Sequence, residues 1–231
     1  MVISLGDTFF IEQADHRMSG WPSVVFPVFK WISKIGVNEG YKMLLERRIK
    51  RIKEHYSDGV KIGLGMLASI ISCAVASSVE FKRLASLNEE GLSDVPGAEA
   101  SMQPGWLLLQ FFFLGAMEGL AGEGILDFFG HYAPDSRYGP VITSSLTRFG
   151  AIINVGFIAV LDYYSEQRYK RSWLGDNEDQ SRLDSIYRAY VALTLFNCFI
   201  YAYVASSYSY DNIKERPEEE EKERQILILL P

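Results

Sequence analysis

Four stretches of about 20 apolar residues, set between charged loops, constrain this chain more than any other feature. A helix rises about 1.5 Å per residue, so about 20 apolar residues match a hydrocarbon core about 30 Å thick. Gly59–Val79 carries a single charge, Lys61, near its start. Trp106–Phe129 opens on WLLLQFFFLG and then holds Glu118, Glu123 and Asp127. Gly139–Leu161 contains Arg148. Ile186–Tyr208 is broken only by Arg188 and carries Tyr187, Tyr190, Tyr201, Tyr203 and Tyr208. Tyrosines toward both ends suit the head-group belts of a bilayer. The spacing predicts an all-α, polytopic membrane protein with four clear crossings.

Averages conceal this pattern. With 231 residues, 48% hydrophobic, 23% charged and a net charge of -6, the composition taken alone describes a soluble domain. The clustering of apolar residues excludes a disordered chain, a disulfide scaffold and a basic nucleic-acid binder. The lipid bilayer is the expected partner, and nucleic acid is not. Cys73 and Cys198 both fall inside apolar blocks and provide no redox or metal framework.

Pro22–Ser33 is apolar but short and interrupted by Pro27. Onward to His55 the chain is basic, with Lys30, Lys34, Lys42, Arg47, Arg48, Lys50, Arg51 and Lys53. Leu44, Leu45, Ile49 and Ile52 recur among them at helical spacing, which fits either a basic amphipathic helix on an anionic membrane surface or a solvated helical loop. The positive-inside rule puts this run in the cytosol, together with the 130–138 loop and the C-terminal tail. The tail from Asp211 to Arg224 is a charge run, and Glu223–Ile228 has the spacing of a dileucine sorting signal, a pattern that also arises by chance.

Soluble-enzyme signatures are absent: no phosphate-binding Gly-Lys loop, no G-x-S-x-G elbow, no His/Cys set at metal spacing. His16, His55 and His131 read as surface loop residues. The chain is expected not to be an enzyme and to hold no cofactor.

The informative residues are the charges inside the spans. An ionised side chain at mid-bilayer costs about 2.5–3.5 kcal/mol even on lenient scales, so it faces a partner or a water-filled path. Glu118 lies about halfway along its span, on the flank of a stripe formed by Gly115, Gly119 and Gly122, where another helix can approach closely. It is a candidate for gaining and losing a proton, or for a static ion pair, for example with Arg148. Glu123 is rotated about 140° from Glu118 and about 40° from Asp127 on an ideal helix. Asp127, in a last helical turn, needs a cation or water nearby. Arg148 could balance Glu118, bind an anionic substrate, or snorkel. Asn154, deep in an apolar run, suits either a helix–helix hydrogen bond or a coupling role. Gly59-x-x-x-Gly63 with Ala68, Ser69, Ser72 and Ala76 forms a packing face.

Several motifs, in order, resemble the C-terminal half of the plant nitrate/peptide transporter family, the plant branch of the proton-coupled oligopeptide transporters in the major facilitator superfamily. Gln110, Leu114-Gly115, Glu118, Asp127-Phe128-Phe129 and Ala133-Pro134 match the pattern of its tenth helix. Thr8–Gln13 (TFFIEQ) looks like the end of its seventh helix, and Val79–Leu84 (VEFKRL) like the exit from its ninth. The loop Trp173–Asp184 and the tyrosine-rich last span fit its final hairpin.

The resemblance implies a partial C-terminal six-helix bundle of a major facilitator fold, from a family with twelve helices in two bundles and alternating access. It divides the chain into the end of a truncated transmembrane helix and loop (1–20) and a weak or interfacial helix with a basic cytosolic loop (21–58). Transmembrane helices follow at 59–82, 106–129, 139–162 and 186–209, with non-cytosolic loops at 83–105 and 163–185 and a charged cytosolic tail at 210–231. The implied function is proton-coupled symport of nitrate, small peptides or related small anionic or zwitterionic solutes, with protons as the coupling ion. The implied location is the plasma or vacuolar membrane. Only Glu118 matches the family's cavity-lining glutamate; Arg148, Glu123 and Asn154 are further candidates from their place in the spans. The expected partner is the missing N-terminal bundle or a full-length relative. The alternative expectation is a truncated, non-transporting membrane protein that interacts with such a relative.

Overall fold

The computed structural model describes residues 1–16, 21–46, 57–91, 102–132, 138–170, 173 and 182–229; among them the regular structure is helical, with no strand. Helix α1 (Val2–Leu5) passes through a π-helical turn, Gly6–Phe10, into α2 (Ile11–His16). Helix α3 (Val25–Tyr41) runs into a second π-helical turn, Lys42–Glu46, and α4 spans Ser57–Glu89. Helix α5 (Gly105–Met117) continues through a third π-helical turn, Glu118–Gly122, into α6 (Glu123–Tyr132). Two long helices complete the order, α7 (Tyr138–Tyr169) and α8 (Leu183–Leu229).

Among the described residues, four stretches are long and apolar enough to cross a bilayer: Asp58–Glu89, Gly105–Phe129, Tyr138–Arg168 and Leu183–Ser207. They coincide with the four apolar blocks of the sequence, and the chain is an all-α polytopic membrane protein. Local chemistry sets the helix ends. Pro104 precedes α5, where its missing N–H costs nothing. Gly91, at φ 69°, lies two residues past α4 in the left-handed conformation that favours glycine after a helix.

Helix α5 is the centre of the bundle, with α3 along one side and α4 along the other. A methyl group at Gly115 would strike the carbonyl oxygen of Lys30, and one at Gly119 the carbonyl oxygen of Lys34. On the α4 side, a methyl group at Gly65 would strike the backbone of Ala121. Glycine is required at these crossings because helix association inside lipid depends on close packing rather than on expulsion of water. Gly122 differs: nothing lies within 4 Å of the place its Cβ would occupy.

An aromatic run joins the segments through the interior. Phe26 stacks on Phe111 (5.3 Å, 29°), Phe111 meets Phe10 edge-on (6.0 Å, 77°), and Phe10 meets Tyr187 (5.5 Å, 76°). These contacts connect α3, α5, the first π-helical turn and α8. Helices α7 and α8 are the least buried of the four spans and present Phe149, Ile152, Val155, Phe196, Phe199 and Tyr203 outward.

Two expectations are changed by the packing. Pro27 does not interrupt the helix around it, because it falls in the first turn of α3, where no intrahelical N–H bond is lost. Residues 25–41 do not lie apart on a membrane surface; α3 packs against α5, with Phe26 and Ser33 buried. The basic residues at 47–56, His55 among them, the loop residues 92–101, Ala133-Pro134 and most of the 171–181 loop lie outside the described residues. Over the charged tail the backbone continues as helix α8 to Leu229, in keeping with the helix propensity of its glutamates, lysines and arginines.

Candidate functional site

The three acids of the α5–α6 span each meet a lysine. Lys30 Nζ lies 2.9 Å from Glu118 Oε1 and donates a hydrogen bond of 2.6 Å to Asp7 Oδ1. Lys34 Nζ is 3.8 Å from Glu123 Oε1. Lys61 Nζ donates to Asp127 Oδ2 at 2.7 Å and sits 5.9 Å from the centre of the Tyr41 ring. The pairs form a ladder along the seam that α5 and α6 share with α3 and the start of α4.

The third π-helical turn builds this ladder. On an ideal helix, residues five apart diverge by about 140°, and that geometry separates Glu118 from Glu123. A π-helical turn closes i to i+5, so it brings both onto one side. Lys30 and Lys34, four apart on the regular helix α3, stand on one face opposite them. The rotation read from the sequence is therefore corrected, and the reason is the extra residue in the turn Glu118–Gly122. Asp7 too lies in a π-helical turn, Gly6–Phe10. Both carboxylates that share Lys30 thus come from locally widened helix, a distortion that gathers at functional positions.

Lys30 and Glu118 are mostly shielded, with side chains 16% and 14% exposed, whereas Asp7 is 49% exposed. One ammonium therefore serves an enclosed carboxylate and an open one. Glu118 Oε1 is buried and lies within ion-pair distance of Lys30 without the alignment of a hydrogen bond. The contact is mainly coulombic.

The remaining candidates fall elsewhere. Arg148 does not balance Glu118: its side chain is exposed, and it forms no ion pair with the described residues. Asn154 is buried, accepts a short hydrogen bond from the Tyr190 hydroxyl and donates to Ser4 Oγ at 3.3 Å. It joins α7 to α8 and to α1. Lys61, the one charge near the start of its span, is 4% exposed and fixed on Asp127. Gly59 and Gly63 face the ring of Tyr201 on α8, whose hydroxyl donates to the Gly59 carbonyl at 2.6 Å. No cluster of His, Cys, Asp and Glu suited to a metal occurs among the described residues.

A second polar group, not foreseen from the sequence, closes the opposite end of the bundle. Arg83 donates two hydrogen bonds to Glu80, at 2.7 and 3.0 Å, and Gln13 donates to Glu80 Oε2 at 2.7 Å. Gln110 donates to the Gln13 carbonyl oxygen at 3.2 Å, and Ser72 donates to the Gln110 backbone carbonyl at 3.0 Å. Gln13, Glu80, Arg83 and Gln110 are all fully buried. The available signal was their presence in the TFFIEQ, VEFKRL and Gln110 motifs, which the fold draws into one cluster. Lys30 and Lys34 were missed for another reason, since a basic run reads as surface until its packing is known.

A central helix flanked by close-packed neighbours, with ion pairs enclosed within the bundle and apolar walls outside, defines a polytopic membrane protein of the helical-bundle type. No protein-family model matches the chain. Protein NRT1/ PTR FAMILY 5.5 of Arabidopsis thaliana is 26% identical over 242 residues, covering 98% of this chain and 44% of the relative. NRT1/ PTR FAMILY 5.7 of the same plant is 29% identical over 219 residues, covering 90% and 36%. NRT1/ PTR FAMILY 5.10, also from Arabidopsis thaliana, is 30% identical over 150 residues, covering 64% and 27%. The chain belongs to the NRT1/PTR family, the plant family that its motifs resemble, as a partial bundle of the major facilitator type. It spans less than half the length of these curated relatives.

Proposed function

We propose that this chain is the C-terminal bundle of a proton-coupled symporter for nitrate, small peptides or related small anionic or zwitterionic solutes, and that it is not an enzyme. Glu118 is the proton-accepting carboxylate and Lys30 its counter-ion. One observation carries the reading: a single lysine is shared by Asp7 and Glu118. With both acids ionised the three groups hold one net negative charge, and with Glu118 protonated they are neutral. When Glu118 is protonated, Lys30 keeps Asp7 as its partner, so no cation is left enclosed without an anion. Arg148, exposed on α7, is the candidate contact for an anionic solute, and Glu123 and Asn154 position the helices around the pathway.

Alternating access requires a second bundle against this one, so the working unit pairs these helices with an N-terminal bundle or with a full-length relative. The plasma membrane or the vacuolar membrane is the proposed location, and protons are the only coupling species invoked. The test is uptake of labelled nitrate and dipeptide under an inward proton gradient, with the chain joined to or co-expressed with an N-terminal bundle of a relative. Glu118→Gln is expected to abolish the gradient-driven component while leaving exchange of solute at equal pH. Gradient-driven uptake that survives Glu118→Gln, or no uptake in any pairing, overturns the proposal.

A further inference from the structure

A crevice of about 350 Å³ lies between α4 and α8, lined by Ser77, Ser78, Phe81, Lys82, Asp184 and Arg188. Its height is fixed by three helices at once. On α4 the apolar run ends at Val79 and charges begin at Glu80. On α8 Asp184 and Arg188 precede the apolar stretch, and Trp106 opens α5. The crevice therefore stands where hydrocarbon gives way to head groups, the level at which tryptophan gathers.

Its charges are unbalanced in one direction. Arg188 donates to Asp184 Oδ2 at 2.6 Å, and Arg182 lies 3.4 Å from the same oxygen, so the one carboxylate is already occupied twice. Lys82 makes no ion pair with the described residues; its ammonium is held over the Trp106 ring at 4.1 Å, which keeps it ordered without neutralising it. Ser77 and Ser78 line the floor, their hydroxyls donating to the backbone carbonyls of Asp184 (3.3 Å) and Ala74 (2.9 Å), and the exposed ring of Phe81 forms an apolar lip. Cations beside an aromatic lip on the outside of a membrane bundle match an anion that carries its own hydrocarbon.

We propose that this crevice seats the phosphate of an anionic phospholipid head group, with Lys82 and Arg188 supplying the charge and Phe81 lying against the first carbons of the acyl chains. The site is separate from the Lys30–Glu118 pair and does not depend on the transport reading.

The test is native mass spectrometry of the full chain released from vesicles of mixed phosphatidylcholine and phosphatidylglycerol, counting the lipid that stays bound. The expected result is selective retention of phosphatidylglycerol, reduced about fivefold by Lys82→Gln, the effect of removing one cation near a charged surface. Lys82 is exposed, so the variant keeps its fold; Arg188→Gln should show the same reduction, and Lys42→Gln, an exposed lysine outside the crevice, none. Equal retention of the two lipids, or retention of phosphatidylglycerol unchanged by Lys82→Gln, overturns the proposal. Inorganic phosphate separates the two sources of the anion. Displacement of the lipid by millimolar phosphate would assign the crevice to a soluble anion and overturn the lipid reading, whereas resistance to it supports the lipid.

Discussion

Lys30 reaches Glu118 at the point where its own carbonyl oxygen leaves room for nothing larger than glycine at position 115. The ion pair and the close helix crossing are thus one structural feature. The backbones must approach for the lysine to meet an acid inside the span, and Gly115 and Gly119 permit that approach.

Gly115→Val is expected to destabilise the bundle by about 1–3 kcal/mol, the usual cost of forcing extra carbons into a packed contact. Gly119→Val should behave alike, because its methyl groups would meet the Lys34 carbonyl. Gly122→Ala has open space and removes a flexible residue, so it should be neutral or stabilising by up to about 1 kcal/mol. Thermal unfolding in detergent distinguishes these cases, and equal losses at 119 and 122 would contradict the packing described.

Lys30→Met leaves a shielded carboxylate at Glu118 without its cation and is expected to cost about 2–4 kcal/mol. Asp7→Asn should cost under about 1 kcal/mol, since that side is half open to its surroundings. The double variant Lys30→Met with Glu118→Gln should recover most of the loss. A double-mutant cycle measures the coupling, and additive effects would mean that the two residues do not interact.

Removing the extra residue of the π-helical turn, Ala121, should restore regular helix with the two glutamates four apart and still on one side, so the ladder should survive the deletion. Inserting one further alanine after Ala121 should instead rotate α6 by about 100° against α5 and carry Glu123 away from Lys34. Cysteine pairs at positions 34 and 123 should cross-link in the parent chain and in the deletion and fail to do so in the insertion. Cross-linking lost in the deletion, or kept in the insertion, would show that the turn does not set the ladder.

Breaking the buried cluster should be the most damaging change. Glu80→Gln leaves the Arg83 guanidinium enclosed without a counter-charge, and a loss of about 3–5 kcal/mol follows from opening a buried pair. Gln110→Leu removes only one neutral hydrogen bond to Gln13 and should cost about 1 kcal/mol. Recovery of monodisperse protein after size exclusion should fall sharply for the first and little for the second.

The spans were legible in the sequence because their signal is local: an unbroken apolar run of the right length crosses whatever its neighbours do. The glycine stripe was legible in part, since spacing alone put Gly115, Gly119 and Gly122 on one face but could not say where the facing helix would end. Glu118 stood out as a costly charge, and so a partner was required. Arg148 was the nearest cation on an adjacent span, and it is the wrong one.

What the sequence determined by itself is therefore the set of crossings and the need for each enclosed acid to find a cation, both of which follow from the energy of transfer into hydrocarbon. The tertiary structure decided which cation. That choice turns on α3 packing against α5 and on a π-helical turn that moves Glu123 to the side of Glu118. Neither leaves a mark in composition or periodicity, because a one-residue change in helical register rearranges contacts between helices while the local run of side chains stays the same.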